Sequence, residues 1–538
     1  MMHDTIIYNA EIVDGTGAKR YSADIALANG RIVKIGRLDR HAAKNEIDAA
    51  GSIVAPGFID SHSHADLAML SGGLENEKLR MGVTTEVIGQ CGFSAFPLTP
   101  EYKALRRQSM SGFLPGIQLP WNWSDLDGFK AAAREKGLTH HVVPLVGHGS
   151  LRQSVMGDEP GKPSTIQMDK MYLMAETALK QGAHGLSSGL IYSPGVFSET
   201  GELIRLCQVF ADYGRLYATH VRGETSPLVD AAVDEALTIC RETGADLEIS
   251  HLKVIGLDDS SRGRIAGILR KIETARKEGL KVDFDCYPYT CGSTYLSSLI
   301  PKWAHEGGVR GLLGKLKSPK WRNRIRDSIE ADDYGGENWV KACGFEEIRI
   351  GSVTRKDFEP HAGKDLSRIA TETGNDPFDV LFDILIAEQA GTIMVFSMMR
   401  TEDMKTALSH PLASIGTDAI PCPPGQGRPH PRGYGTFPKI LGRMSGEGGL
   451  FTLEEAVHKM THQPAAKLKL KERGIVAEGM FADLVIFDRN KIRDNADYRS
   501  PRRPPSGISH VLIEGIPAIK NGLLTGQKAG RFLLATTD

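Results

Sequence analysis

Two histidines one residue apart, His62 and His64 in the segment FIDSHSHAD, follow directly on an apolar run. Residues i and i+2 of a strand point to the same side, so this spacing presents two imidazoles together, and neutral imidazole is the commonest biological zinc ligand. Four further residues of ligand type close other apolar runs: Cys91 ends EVIGQC, His220 ends LYATH, His251 ends LEISH and Asp418 ends ASIGTD. Any one of them alone reads equally well as a packed core residue. Together they offer sulfur, nitrogen and oxygen donors on separate strand ends, a set that zinc accepts and that points to a metal centre. Such a centre supports amide hydrolysis. A metal polarises the carbonyl and acidifies water, while a carboxylate, here Asp418, takes the water proton and hands it to the leaving nitrogen. Negative charge developing on the substrate oxygen calls for a second donor, for which Tyr192 and His148 are candidates.

The elements that must position these residues are legible as alternation. Apolar runs IVAPGFID, TTEVIG, HHVVPLVG, GLSSGLIY, LYATHV, LEISHL, KVDFDCYP, TIMVFSM and LASIGTDA are separated, in several cases, by amphipathic stretches. Strand then helix, repeated, predicts a parallel sheet, and eight or nine such units over roughly 400 residues favour a closed (β/α)8, TIM-like barrel over an open doubly wound sheet. The ligand-type residues then fall at the C-terminal mouth, where barrel active sites lie. The nine candidate strands for eight places leave one run, or part of the stretch at about 292–350, to an insertion. That stretch carries Trp303, Trp321 and Trp339 among many charges and reads as a lid. Residues 1–55 and 471–538 are short alternating segments punctuated by turn residues, and the simplest packing joins both termini into one small β-sandwich domain around a barrel at 56–470.

Composition narrows the partners. Lys plus Arg number 65 against 66 Asp plus Glu, a net charge of -1, so no field favours nucleic acid or an anionic membrane, and the expected partner is a small molecule. Seven cysteines without a spacing framework suit a reducing compartment. The opening MMHDTIIYNA lacks a basic segment followed by an apolar run, and no apolar stretch reaches the roughly 18 residues that span a bilayer. A cytoplasmic protein is expected. Oligomeric state is not legible.

PGFIDSHSHAD, GVTTEVIGQCGFS, ATHVRGE, ISHLK, IGTDA and RPHPRGYGTFP together resemble the D-aminoacylase (N-acyl-D-amino-acid deacylase) branch of the amidohydrolases, over nearly the whole chain. The resemblance implies one tightly held zinc on Cys91, His220 and His251, a weaker or empty second site at His62 and His64, and Asp418 as base and then acid. It implies the substrate too, an N-acyl-D-amino acid. Its carboxylate calls for fixed cations and donors, for which Arg432, Lys253, Tyr287 and Tyr289 are candidates; the resemblance implies a clamp at the arginine and the lysine, and arginine can grip a carboxylate with two parallel hydrogen bonds. Hydantoinases and dihydroorotases bridge two metals with a carbamylated lysine from the middle of the barrel, but Gln181 to Leu252 contains no lysine, which leaves the Cys91 thiolate as the better anionic ligand. A cyclic-amide hydrolase, an isoaspartyl dipeptidase and a non-catalytic scaffold of the same fold remain the alternatives. Trp303, Phe93, Phe96 and Leu296 would suit an apolar substrate side chain, or simply fill a lid core; the sequence leaves the two readings open.

Overall fold

The structure, a computed structural model, describes residues 2–39, 42–74, 76–333 and 336–536. Eight parallel strands make the barrel. In chain order they are Phe58–Asp60, Val83–Ile88, His141–Pro144 continuing as Val146–Gly147, Gly185–Gly189, Leu216–His220, Asp246–Ile249, Val282–Cys286 and Ala413–Ile415. The ring closes where the Ser61 N–H donates to the Ile415 carbonyl at 3.3 Å and Ser63 bridges Ala419 in parallel. Helices cover the outside, so strands such as Val83–Ile88 and Leu216–His220 are buried along their whole length. This is why they read as continuous runs rather than as alternating ones.

The run TIMVFSM is the ninth candidate, and it lies outside the barrel wall. Its strand, Ile393–Ser397, is the centre of a three-stranded antiparallel sheet with Cys291–Tyr295 and Ile348–Ser352 on either side. The excursion between the seventh and eighth barrel strands therefore continues past 350, where the sequence reading ended it, to about residue 397. Helices Gly308–Leu316, Pro319–Ala331, Leu366–Thr373 and Pro377–Ala387 belong to it. It has its own apolar core, including Leu299, Leu316, Trp339, Leu381 and Phe396. An apolar strand of five residues buried in a small sheet has the same pattern as one buried in a barrel, so periodicity cannot separate them.

Both chain ends build one nine-stranded sheet. Strand Ile53–Pro56 pairs with His3–Ile12 on one side and antiparallel with Leu484–Phe487 on the other, joining N-terminal strands to C-terminal ones. The sheet is tied to the barrel by a buried cluster in which Asp483 accepts from the Glu514 N–H at 2.8 Å, pairs with Arg473 and lies 3.3 Å from His141 at the start of the third barrel strand. The C-terminal tail then runs along the barrel floor: Val142 N–H donates to the Arg531 carbonyl at 3.0 Å and Leu533 N–H to Val142 at 2.8 Å. No helix among the described residues is long and apolar enough to cross a membrane.

Candidate metal centre

The mouth of the barrel is built from strands that turn sharply as they end. Cys91, His251 and Asp418, three of the ligand-type residues, hold left-handed backbone with φ of 51°, 39° and 50°. For residues with a Cβ this conformation costs about 1–2 kcal/mol each, so the surroundings must impose it. They do so with hydrogen bonds: Asp418 N–H donates to the His62 carbonyl at 2.7 Å, and His251 N–H to Asp285 Oδ1 at 2.9 Å. Gly189, ending the fourth strand, gives the Cys91 loop its room, since a Cβ there would lie 2.1 Å from the Cys91 carbonyl oxygen. Beneath the His62–His64 turn, the buried Lys78 ammonium bonds Asp60, Ser63 Oγ at 3.1 Å and Thr417 Oγ1 at 2.9 Å, locking the first strand to the eighth.

The side chains converge. Cys91 Sγ lies 3.3 Å from both His62 Nε2 and His251 Nε2. His220 and His251 meet edge to face with centroids 4.4 Å apart. Asp418 Oδ1 is 3.1 Å from His64 Nε2 and 3.6 Å from His62 Nε2. Three overlapping sets, His62 with His64 and Cys91, Cys91 with His220 and His251, and His62 with His251 and Asp418, each keep their donor atoms within 4.8 Å of one another.

Burial sets the charges. It pushes the Cys91 thiol up, but the neighbouring His62 and His251 outweigh it and bring the thiol well below its usual value, so the thiolate is favoured. Burial holds His220 low and hence neutral, and neither of its ring nitrogens has a hydrogen-bond partner. A buried imidazole with both nitrogens unpartnered, beside a thiolate, fits a soft divalent cation such as zinc, because leaving such groups unpaired is otherwise costly. The Asp418 carboxyl is driven up by burial and down further by Arg432, His251 and His64, ending well below the ordinary carboxylate range.

The supporting residues include several that the sequence did not single out. Glu224 Oε1 lies 2.5 Å from Lys253 Nζ and 3.2 Å from His251 Nδ1, and its other oxygen lies 3.5 Å from His220 Nε2. Asp285 Oδ2 sits 3.2 Å from His62 Nδ1. At His251 and His62 the carboxylate sits on Nδ1 and favours the tautomer that leaves Nε2 turned toward Cys91, whereas at His220 it faces Nε2 itself. Both had a signal, Glu224 inside ATHVRGE and Asp285 inside the run KVDFDCYP, but each reads as a polar residue within a longer motif.

A narrow cleft opens over the cluster. His64, Cys91, His220, His251 and Asp418 line it, as do Lys253, Tyr192 and Tyr287. The Tyr287 hydroxyl is buried with no hydrogen-bond partner, and the Tyr192 hydroxyl bonds Thr294 Oγ1 at 2.8 Å and keeps its proton, being pushed well above the usual value by burial and Cys91. Arg432 and Tyr289 are not part of this lining. Arg432, 1% exposed, sets its guanidinium 2.7 Å from Asp418 Oδ2 and donates to the Ser293 carbonyl at 2.9 Å. Tyr289 packs against His430 and under Lys439. His148 faces Glu202 at 2.8 Å instead of the cleft. Of the apolar lid candidates, Phe93 reaches the cleft; Trp303 stacks near Trp321, Phe96 packs on Phe129, and Leu296 fills the insertion core. Phe113, Trp339, Phe396 and Met398 line it as well.

Comparison with known proteins identifies the family. The amidohydrolase family model matches residues 45–253 and 341–518. A D-aminoacylase of Alcaligenes xylosoxydans xylosoxydans is 33% identical over 537 residues, covering 99% of this chain and 98% of the relative, and an N-acyl-D-glutamate deacylase of the same organism is 33% identical over 516 residues, covering 95% and 93%. The crystal structure of an N-acyl-D-glutamate deacylase from Bordetella bronchiseptica, complexed with zinc and a phosphonate mimic of the tetrahedral intermediate, superposes with a TM-score of 0.82 at 32% identity over 99% of this chain and 100% of that one. The chain belongs to the amidohydrolase family, in the branch of the D-aminoacylases.

Proposed function

We propose that the protein hydrolyses the amide bond of N-acyl-D-amino acids, releasing a carboxylate and a free D-amino acid, with zinc held tightly by Cys91, His220 and His251 and more weakly at His62 and His64. The observation that carries this reading is the thiolate-poised Cys91 between two imidazoles, with the His220 nitrogens unpartnered. When bound, the metal supplies Lewis acidity toward the substrate carbonyl and toward water. Asp418, ionised and aimed by Arg432 and His64, accepts a proton from the attacking water and returns it to the leaving nitrogen. Tyr192, which keeps its proton, offers an O–H to the oxygen that gains charge. Lys253 and the unpartnered Tyr287 hydroxyl face the cleft as donors for the substrate carboxylate. Arg432 acts one step back, holding the base.

A carbamate-bridged, cyclic-amide centre is disfavoured by geometry. The cleft's lysine, Lys253, lies 2.7 Å from His251 Nδ1, on the side of the ring away from Cys91.

The test combines metal content with chirality. Purified protein is expected to hold about one zinc per chain and to hydrolyse N-acetyl-D-amino acids far faster than their L forms, and Cys91→Ala is expected to lose most of both metal and activity. Normal zinc and turnover in Cys91→Ala, or a clear L preference, would overturn the reading.

A further inference from the structure

Behind the loop that follows Asp418 lies a second cavity, of about 320 Å³, closed on one side by the segment carrying Leu74 and Glu77 and on another by Arg502. None of the residues given a role in hydrolysis lines it. Ile420 lines both this cavity and the cleft over the metal cluster, so the two spaces share a wall.

The cavity holds a cation whose charge the protein leaves unanswered. Arg502 directs its terminal nitrogens to neutral acceptors: the Gly427 carbonyl at 2.7 Å, the Pro423 carbonyl at 2.9 Å and Cys422 Sγ at 3.2 Å. Burial pushes the Cys422 thiol up to about 11, so that sulfur carries no negative charge. The Arg502 Nε is buried without a hydrogen-bond partner, and no carboxylate among the described residues forms an ion pair with the guanidinium. An unpaired guanidinium of this kind favours an anion, and its fork matches a carboxylate. Tyr434 lines the same cavity and brings a hydroxyl that burial keeps protonated. Glu77 supplies the opposite charge, held loosely by Arg80 at 3.6 Å. The Lys78 ammonium, also at this wall, is taken up by Asp60, Ser63 and Thr417. Leu74, Ile420, Pro421 and Pro424 make the remaining walls apolar.

We propose that this cavity binds a free amino acid, separately from the catalytic cleft, and that its occupancy is coupled to turnover. Arg502 and Tyr434 take the α-carboxylate, Glu77 the ammonium, and the apolar walls the side chain. An N-acylated amino acid lacks the ammonium and leaves Glu77 unanswered, so the free form is favoured. A free amino acid is the product of the hydrolysis proposed above, and that identity rests on the deacylase reading; the charges of the cavity do not. The coupling runs through the shared wall. Ala419, which follows Asp418, accepts from the His64 N–H at 3.1 Å, and Gly433 follows Arg432. Both line the cavity, so an occupant bears directly on the backbone that carries the base and the arginine that aims it.

The experiment titrates D-leucine calorimetrically into the zinc-loaded protein whose cleft is filled by a phosphonate analogue of N-acetyl-D-leucine, so that the heat reports the cavity. Binding is expected, weaker by at least about tenfold for leucinamide, which lacks the carboxylate, and by about threefold for 4-methylpentanoate, which lacks the ammonium. Arg502→Gln should weaken D-leucine at least about tenfold with kcat on N-acetyl-D-leucine kept. Leu74→Trp, which fills the cavity from its other side, should abolish the binding and serves if Arg502→Gln fails to fold. At saturating N-acetyl-D-leucine, added D-leucine should change kcat at least about twofold in wild type but not in Arg502→Gln. No binding to the phosphonate-filled protein, or binding unaltered in both variants, would overturn the site. An unchanged wild-type kcat, or the same change in Arg502→Gln, would overturn the coupling. No hydrolysis of N-acetyl-D-leucine would overturn the deacylase reading instead, and the titration without phosphonate would still decide the site.

Discussion

Asp418 and Arg432 form a unit in which each explains the other's placement. The guanidinium lies 2.7 Å from Asp418 Oδ2 and outside the cleft lining, and on the reading proposed above its effect on catalysis passes through the carboxylate. Asp418→Asn should keep the tight metal and lower kcat by about two to four powers of ten, the range for losing a general acid or base. Arg432→Ala should lower kcat on N-acetyl-D-amino acids and on the matching amides by similar factors, because a misaimed base harms both. A loss confined to substrates that carry the carboxylate would show that Arg432 reads the substrate directly. Comparing the two substrate classes across both variants separates the outcomes.

Among the elements, the insertion acts on the metal cluster through one side chain. Glu337 accepts from the backbone N–H groups of Glu224 and, at 2.6 Å, of Thr225, while its other oxygen accepts from the Trp339 indole at 2.8 Å. Burial and the facing Glu224 raise this carboxyl to about 7. The lid is thereby latched to the loop whose Glu224 braces His220 and His251. A hydrogen bond to this carboxyl is worth about 0.5–3 kcal/mol depending on its protonation, so Glu337→Ala should loosen the loop, cut kcat/KM at least about tenfold and speed zinc loss to a chelator. Glu337→Gln retains an oxygen for the two N–H groups and should recover much of both. Chelator release unchanged in Glu337→Ala would leave the latch without a role at the cluster.

At the scale of the molecule, stability should depend on the buried junction between the terminal sheet and the barrel. Burial pushes the Asp483 carboxyl up, but His141, Arg473 and the Glu514 N–H bring it down to about 2. A folded value below the unfolded one, near 3.9, means that the group stabilises the fold fully above about pH 4 and that this contribution vanishes as pH falls through about 2. The difference corresponds to roughly 2–3 kcal/mol. Unfolding of Asp483→Asn and wild type, followed from pH 6 to pH 2, should show a stability gap that narrows between about pH 4 and pH 2; a constant gap would mean that the carboxylate charge is irrelevant to the junction.

Six candidate donors could be named from the sequence, His62, His64, Cys91, His220, His251 and Asp418, because each closes or directly follows an apolar run, and strand-ending polar residues in a parallel barrel share one mouth by topology alone. The barrel was legible for the same reason, since burial on both faces leaves continuous runs. The status of TIMVFSM was not, as five buried residues have one pattern whichever sheet holds them. Nor were the partners of side chains, which depend on distances between residues far apart in sequence. Arg432 belongs to Asp418, Glu224 to His251, Glu337 to the Glu224 loop and Asp483 to His141 through contacts spanning 14, 27, 113 and 342 positions. Sequence types and local periodicity thus determined which donor types gather at the mouth; the tertiary structure decided which side chains pair there, because pairing depends on distances between residues that the chain order does not encode.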